Sequence, residues 1–339
     1  MKLQLAIQDF ELPLKNPFTI SRYTVTVQKT VVVSITDGNF TGYGEATVNP
    51  YYNSTIQSLK ASVASVQSIF EVLEENLHPE KLWQQLQPLL THNYFALCAI
   101  DCAYWDLYAK QQQKPLRRFW SKHDLNLPKT NFTIGIDSIE RMQAKIQQTP
   151  WPIYKIKLGT KNDIKIIQEL RKVTNAIFRV DANCAWTVEE TLKNAQILKQ
   201  YNVEFIEQPL QADNWKGMKT LKEKSVLPII ADESCQKLED VQKCSEVFHG
   251  INIKLMKCGG ITPALEMIQI AKAKKIKIMA GCMTESSIGI SNLTQLAPLL
   301  DYIDADGALL LKNDIARGVT FKNGEIIYTS KNGSGAKMC

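Results

Sequence analysis

At 339 residues, 45% hydrophobic and 22% charged, the chain has the composition of an ordinary soluble globular protein and exceeds one small core, so a large domain with a smaller companion is expected. Its formal charge of +6 is spread along the sequence rather than gathered in a basic block, which argues against a nucleic-acid partner. No apolar run reaches the ~18 residues of a membrane span, no secretory leader opens the chain, and the eight cysteines follow neither disulfide nor zinc spacing, so a reducing cytoplasm is the expected setting.

Taken in order, residues 1–48 alternate as an antiparallel meander. LQLAIQDFEL and TVTVQKTVVVSIT read as strands, and Asp37-Gly38 marks a turn before FTGYGEA. From Ser54 to about Gln113 the period becomes helical, in SLKASVASVQSIFEVLEENL and FALCAIDCAYWDLYAKQQ. Cys98 and Cys102 lie one turn apart in the second of these and read as buried thiols. An α+β lobe is therefore expected over 1–122, with KHDLNLPKT as the join. From Asn131 strands alternate with helices: NFTIGI, PIYKIKL, AIFRVDA, VEFIE, LPIIAD, GINIKL, IKIMAG and YIDADG make eight. Thr187 with Glu190 forms a capping box, and Thr262 precedes Pro263 at an expected first helical position. ARGVTFKNGEIIYTS reads as a last hairpin returning to the lobe. The expected architecture is α/β, a (β/α)7β barrel (a modified TIM barrel) over 123–314, capped by the α+β domain, with 315–339 returning to it.

Three carboxylates, Asp181, Glu207 and Asp232, each close one of these runs and recur about one βα unit apart. On successive parallel strands they would converge at the C-terminal mouth of the barrel. An aspartate ending a strand is often only a turn or cap residue; three in consecutive repeats, one of them a glutamate, fit that poorly. Three hard oxygen donors suit Mg2+, and the lack of a nearby histidine disfavours zinc. Residues two apart on a strand share a face, so Lys155 and Lys157 point one way, as do Asn252 and Lys254. Charge inside a barrel is costly unless paired or used. Asp304 and Asp306 also share a face, with no lysine or arginine nearer in sequence than Lys312, and read as a cradle for a substrate ammonium.

The series KIK, VDAN, IEQP, ADES, NIKLMKCGGI and GCMTESSIG resembles the enolase superfamily in its muconate-lactonising-enzyme subgroup, and the lobe ending in GYGEA is similar to that superfamily's capping domain. IDADGALLL is similar to the dipeptide epimerases of that subgroup. The resemblance implies Asp181, Glu207 and Asp232 as Mg2+ ligands, Lys157 and Lys254 as acid/base groups on opposite faces of a substrate, and Asp304 and Asp306 as the ammonium site. A lysine or histidine base beside Mg2+ is the general pattern of such sites. It also implies Thr133, Cys282 and Thr284 as substrate contacts. Lys155 beside Lys157 is expected to lower the latter's pKa by disfavouring a second positive charge. In the Ala-Glu enzymes a capping-lobe arginine meets the glutamate side chain. Here Arg22 lies four residues after Phe18, one short of the expected spacing, so the second residue reads as small or apolar, as in Ala-Ala, ahead of glutamate. The expected activity is Mg2+-dependent inversion at the α-carbon of the C-terminal residue of an Ala-Xaa dipeptide, a small-molecule substrate, by a chain open to homo-oligomerisation. The alternatives are an o-succinylbenzoate synthase or cycloisomerase on the same scaffold, whose substrates lack the amine that the aspartate pair favours, and a non-catalytic metal-bound barrel.

Overall fold

The computed structural model describes residues 3–73 and 76–339. The chain opens with a three-stranded antiparallel sheet, β1 (Gln4–Thr19), β2 (Thr24–Thr36) and β3 (Thr41–Thr47), in the order β1-β2-β3. β1 runs further than its alternation indicates, through Lys15-Asn16-Pro17-Phe18, because a register irregularity between Pro13 and Phe18 lets it continue past two prolines. Val31, Val33 and Ile35 of β2 are buried against the helices of the lobe, while Val32 on the other face is buried against Ile288, Ala316 and Ala336. The unbroken apolar run TVVVSIT thus marks a strand covered on both faces.

Four helices follow: α1 (Ile56–Ser65), α2 (Gln67–Glu71), α3 (Pro79–Leu86) and α4 (Tyr94–Gln111). The long helix expected in SLKASVASVQSIFEVLEENL is interrupted at Val66, whose φ of −110° ends α1; its expected final turn includes Glu74 and Glu75, outside the described residues. α4 is buried on nearly every side, which explains its apolar residues all round the helix. It lies against β3 at positions where a side chain would not fit. A Cβ on Gly42 or Gly44 would stand 2.0 Å from the carbonyl oxygen of Ala103 or Ala99.

The second unit is a sheet of eight parallel strands in sequence order, β4 (Phe132–Ile134), β5 (Ile153–Lys157), β6 (Ile177–Asp181), β7 (Val203–Glu207), β8 (Ile229–Ala231), β9 (Gly250–Ile253), β10 (Lys277–Gly281) and β11 (Tyr302–Asp304). A parallel bridge from Thr130 to Ile303 brings its two edges together, so the sheet is a nearly closed barrel. Ile156, Val180 and Ile206 pack outward into the main core, while the lysines and carboxylates two residues apart point inward. Phe205, Ile230 and Met279, all fully buried, fill the barrel interior together with Tyr302. Among the described residues no helix is long and apolar enough to cross a membrane.

Two local expectations are corrected. The helix expected from Pro263 begins earlier, at Ile261, capped by Gly260. Thr262 is instead held across the lobe interface: Asp101 of α4 accepts from its backbone N–H at 2.9 Å and from its hydroxyl at 2.7 Å. The C-terminal hairpin, Thr320–Lys322 with Glu325–Ile327, sits under the barrel, where Thr130 N–H donates to Gly324 O at 2.8 Å. The segment meets the lobe on either side of this hairpin, through Ala316 against Val32 before it and, after it, through Gly333 beside Lys114 and Ser334 N–H donating to Asp106 at 2.7 Å.

Candidate active site

Register places the inward charges. Lys157 on β5 pairs with Asp181 on β6, and Asp181 pairs with Glu207 on β7, so all three stand at one level near the strand ends. Asp232, just past β8, joins them. Asp181, Glu207 and Asp232 each bring a ligand oxygen within 4.8 Å of the others, and all three are buried.

The lysines ring this cluster. Lys155 Nζ lies 2.8 Å from Asp304, 2.8 Å from Glu207 Oε2 and 3.4 Å from Asp181. Lys157 Nζ lies 2.6 Å from Asp181, and Lys254 Nζ 2.9 Å from Asp232. The contact at Glu207 Oε2 is electrostatic only, since no hydrogen bond is aligned on that buried oxygen. A buried carboxylate oxygen without a donor, set among two other hard oxygen ligands, is what an octahedral hard cation would complete. The donor set therefore fits a divalent ion of the Mg2+ kind.

Electrostatics separate the three carboxylates. Burial raises Glu207 to about 7 against the pull of Lys155, with Asp181 and Asp232 adding to the rise. Burial alone would raise Asp232 too, but Lys254, Lys257 and Lys155 hold it well below the usual range. Burial would lower Lys155; Asp304, Glu207 and Asp181 outweigh it and raise this lysine well above its ordinary value. Lys155 is thus not simply a second ammonium placed beside Lys157, as the sequence led one to expect. It is the centre of a carboxylate cage.

The neighbouring loops hold the ligands in place. Asn252 Nδ2 donates to Glu207 Oε1 at 2.8 Å. Gly281 on the adjacent strand leaves room for it, since a Cβ there would lie 2.6 Å from the Asn252 amide oxygen. Gln208 sits at φ 35°, a strained value for a residue with a side chain. Its Oε1 accepts from the N–H groups of Asp232 and Ser234, at 2.9 and 3.1 Å. Sequence reasoning passed over two buried charges. Lys257 donates to Asp232 Oδ1 at 2.7 Å and to Cys235 O at 2.8 Å; its signal was a lysine inside the apolar run LMKC. Glu233, next to Asp232, meets Arg22 at 2.6 Å, a contact with no local signature.

One cleft between the lobe and the barrel mouth is lined by Arg22, Thr133, Lys155, Lys157, Asp232, Lys254, Cys282, Thr284, Asp304 and Asp306. Asp181 and Glu207 lie beneath its surface, under the lysines. The aspartate pair is not symmetric. Asp304 is already engaged, by Lys155 and by Asn131 Nδ2 at 2.7 Å, so its distance in sequence from any cation misled. Among the described residues, the Asp306 side chain hydrogen-bonds with Thr133 alone, whose backbone N–H donates to it. Burial and the adjacent Asp304 push Asp306 up to about 8, whereas Lys155 brings Asp304 down to about 2 despite burial. The Cys282 sulfur lies within 4.8 Å of a carboxylate oxygen of each.

Two families match: "Mandelate racemase / muconate lactonizing enzyme, N-terminal domain" over residues 2–119 and "Enolase C-terminal domain-like" over 137–339. An L-Ala-D/L-amino acid epimerase of Flavobacterium johnsoniae is 51% identical over 336 residues, covering 99% of this chain and all of that protein. The chain belongs to the dipeptide epimerases of the enolase superfamily. Among solved structures, the substrate-liganded L-Ala-D/L-Glu epimerase from Bacillus subtilis superposes with a TM-score of 0.93 at 29% identity, covering 99% of both chains. A dipeptide epimerase from Enterococcus faecalis, complexed with Mg and the dipeptide L-Leu-L-Tyr, gives the same TM-score, identity and coverage. Like its dipeptide epimerase relatives, the chain is an isomerase.

Proposed function

We propose that this enzyme inverts the α-carbon of the C-terminal residue of an Ala-Xaa dipeptide by two-base proton transfer, with Mg2+ held by Asp181, Glu207 and Asp232. The observation that carries this reading is the placement of two lysines on opposite walls. Lys157 ends β5 and Lys254 follows β9, four strands apart in a sheet of eight, with the carboxylate cluster between them. A carbon acid lying between them meets one ammonium or amine on each face, which inversion requires and simple elimination does not. When bound, Mg2+ supplies positive charge to the substrate carboxylate, which lowers the cost of removing the neighbouring proton.

On this reading Lys157 and Lys254 exchange roles between the two directions, one taking the proton and the other returning one. Lys155 anchors Asp181, Glu207 and Asp304 relative to each other. Asp306, the carboxylate with the fewest partners, receives the dipeptide's ammonium. The Arg22 guanidinium is already paired with Glu233 and stacks 4.3 Å over the Tyr51 ring. Its charge is thus largely answered within the protein, which supports an uncharged second residue ahead of glutamate. The relative's name, with its unrestricted second amino acid, leans the same way.

The deciding experiment is a dipeptide library incubated with Mg2+-loaded enzyme in D2O and read by mass spectrometry. Deuterium is expected at the α-carbon of the C-terminal residue, with Ala-Ala ahead of Ala-Glu. No exchange across the library, together with turnover of an o-succinylbenzoate precursor, would replace this reading with the synthase.

A further inference from the structure

A second cavity of about 260 Å3 opens beside the aspartate side of the cleft, between the irregular end of β1 and the outer part of β4. Asn16, Phe132, Gln148 and Trp151 line it without reaching the main cleft, whereas Phe18, Thr133 and Leu310 line both. Those three residues therefore form the partition between the two spaces. Thr133 lies on β4 and is tied through its backbone N–H to Asp306, so the parts of the wall outside the barrel strands are Phe18 and Leu310.

Both are braced. Ile136 N–H donates to Thr19 O at 2.9 Å, tying the end of β1 to the barrel. The Phe18 ring lies close over Gly135, where an added Cβ would be 3.3 Å from its Cδ2. Behind Leu310, Lys15 donates to Leu309 O at 2.9 Å, Lys312 N–H donates to Pro13 O at 2.7 Å, and Leu14 bridges to Leu311. The cavity beyond has an aromatic wall, Phe132 and Trp151 with ring centroids 6.0 Å apart, and the two lysines that also line it are both engaged, Lys145 by Asp137 at 3.0 Å and Lys15 by Leu309 O. Such a space suits an aliphatic or aromatic group.

We propose that Phe18 and Leu310 set the size limit on the side chain of the dipeptide's first residue, closing the substrate site off from a cavity that would otherwise receive it. The inference rests on the dipeptide reading given above. The ammonium and the side chain of that residue hang from one α-carbon by bonds of about 1.5 Å. An ammonium at Asp306, which accepts from Thr133 N–H, therefore directs the first side chain at the Thr133–Phe18–Leu310 wall. A methyl group fits in front of that wall, and a larger group meets it.

The test is kcat/KM for Ala-Ala, Leu-Ala and Phe-Ala, which share a reacting residue and differ only in the first. Wild type is expected to favour Ala-Ala over the other two. Leu310→Ala and Phe18→Ala are each expected to shrink that preference by about tenfold or more, the scale of adding room for a few methylenes. Gln148 is an exposed helix residue on the far side of the cavity. Adding Gln148→Trp to Leu310→Ala is expected to refill the space and restore the preference. Wild-type indifference to the first residue, an unmoved preference in both single variants, or a gain that survives Gln148→Trp would each overturn the partition while leaving the dipeptide reading intact. Absence of turnover on every dipeptide would instead overturn that reading, and the partition with it.

Discussion

Lys157 and Lys254 each hold a different carboxylate of the cluster, Asp181 and Asp232, so neither can stand in for the other. Replacing either with alanine is expected to reduce epimerisation by roughly 10²–10⁴-fold, the range for a positioned acid or base. One of the two variants is expected to retain solvent exchange from a single face. Stereospecific exchange followed by NMR in D2O checks this, and near-full epimerisation by either variant would exclude two-base inversion. Asp306 carries a second expectation. An ionised carboxylate binds an ammonium, so dipeptide KM should rise as pH falls below about 8, the value to which burial and Asp304 push this group. Asp306→Asn should lose about 2–5 kcal/mol of dipeptide binding, the cost of removing one partner of a desolvated charge pair. It should lose the pH slope as well, and a KM–pH profile of the variant that still rises towards acid would assign the ammonium elsewhere.

At the scale of elements, the join between α4 and the helix Ile261–Ala273 depends on one buried acid. Asp101 accepts twice from Thr262, whose hydroxyl also accepts from Trp105 Nε1 at 2.8 Å. Burial raises Asp101 to about 7, against those hydrogen bonds. The sign follows from linkage. Between the unfolded value near 3.9 and about 7, the folded state holds a proton that the unfolded state has released, so stability is full below that window and declines as pH rises through it. The contribution of this group is about 1.4 kcal/mol per pH unit. Asn mimics the protonated form, and Asp101→Asn is expected to flatten the denaturation-derived stability between pH 4 and 7 by about that slope. An unchanged pH dependence would show that Asp101 is ionised in the folded protein. The same contact explains why the Thr-Pro signal misplaced the helix start, because the acceptor for the first-turn N–H of Thr262 comes from 161 residues away and not from a local side chain.

For the whole molecule, the metal reading has a consequence that does not depend on turnover. A ligand that binds only the folded state stabilises it by mass action, about 2.7 kcal/mol at a hundredfold excess over Kd. Mg2+ is expected to raise the melting temperature of the intact chain, and Asp181→Asn or Glu207→Gln to remove that rise without lowering the metal-free melting point by a comparable amount. Equal melting curves with and without Mg2+ would count against the three-carboxylate site. Barrel strands, their order and the inward charges were legible in the chain because each is a local pattern: alternation with period two, a charge at the strand end, and a repeat of one strand and one helix. The strand TVVVSIT and the helix α4 were legible as elements, whereas their burial on more than one side came from the packing of the folded chain. Other features depended on the folded chain. Lys155 meets Asp304 149 residues away, Arg22 meets Glu233 211 residues away, and Lys257 closes on Asp232 from the following strand's loop. Asp304 and Asp306 look alike in sequence and differ in the fold because one of them faces Lys155 and Asn131 and the other faces Thr133. The cavity behind Phe18 and Leu310 exists because the end of β1 and the loop after β11 are braced against each other. Sequence by itself determined which residues line up along each strand, since pleating is a property of neighbours. Only the tertiary structure decided which charges are already answered and which remain for a substrate, since that depends on residues brought together across the whole barrel.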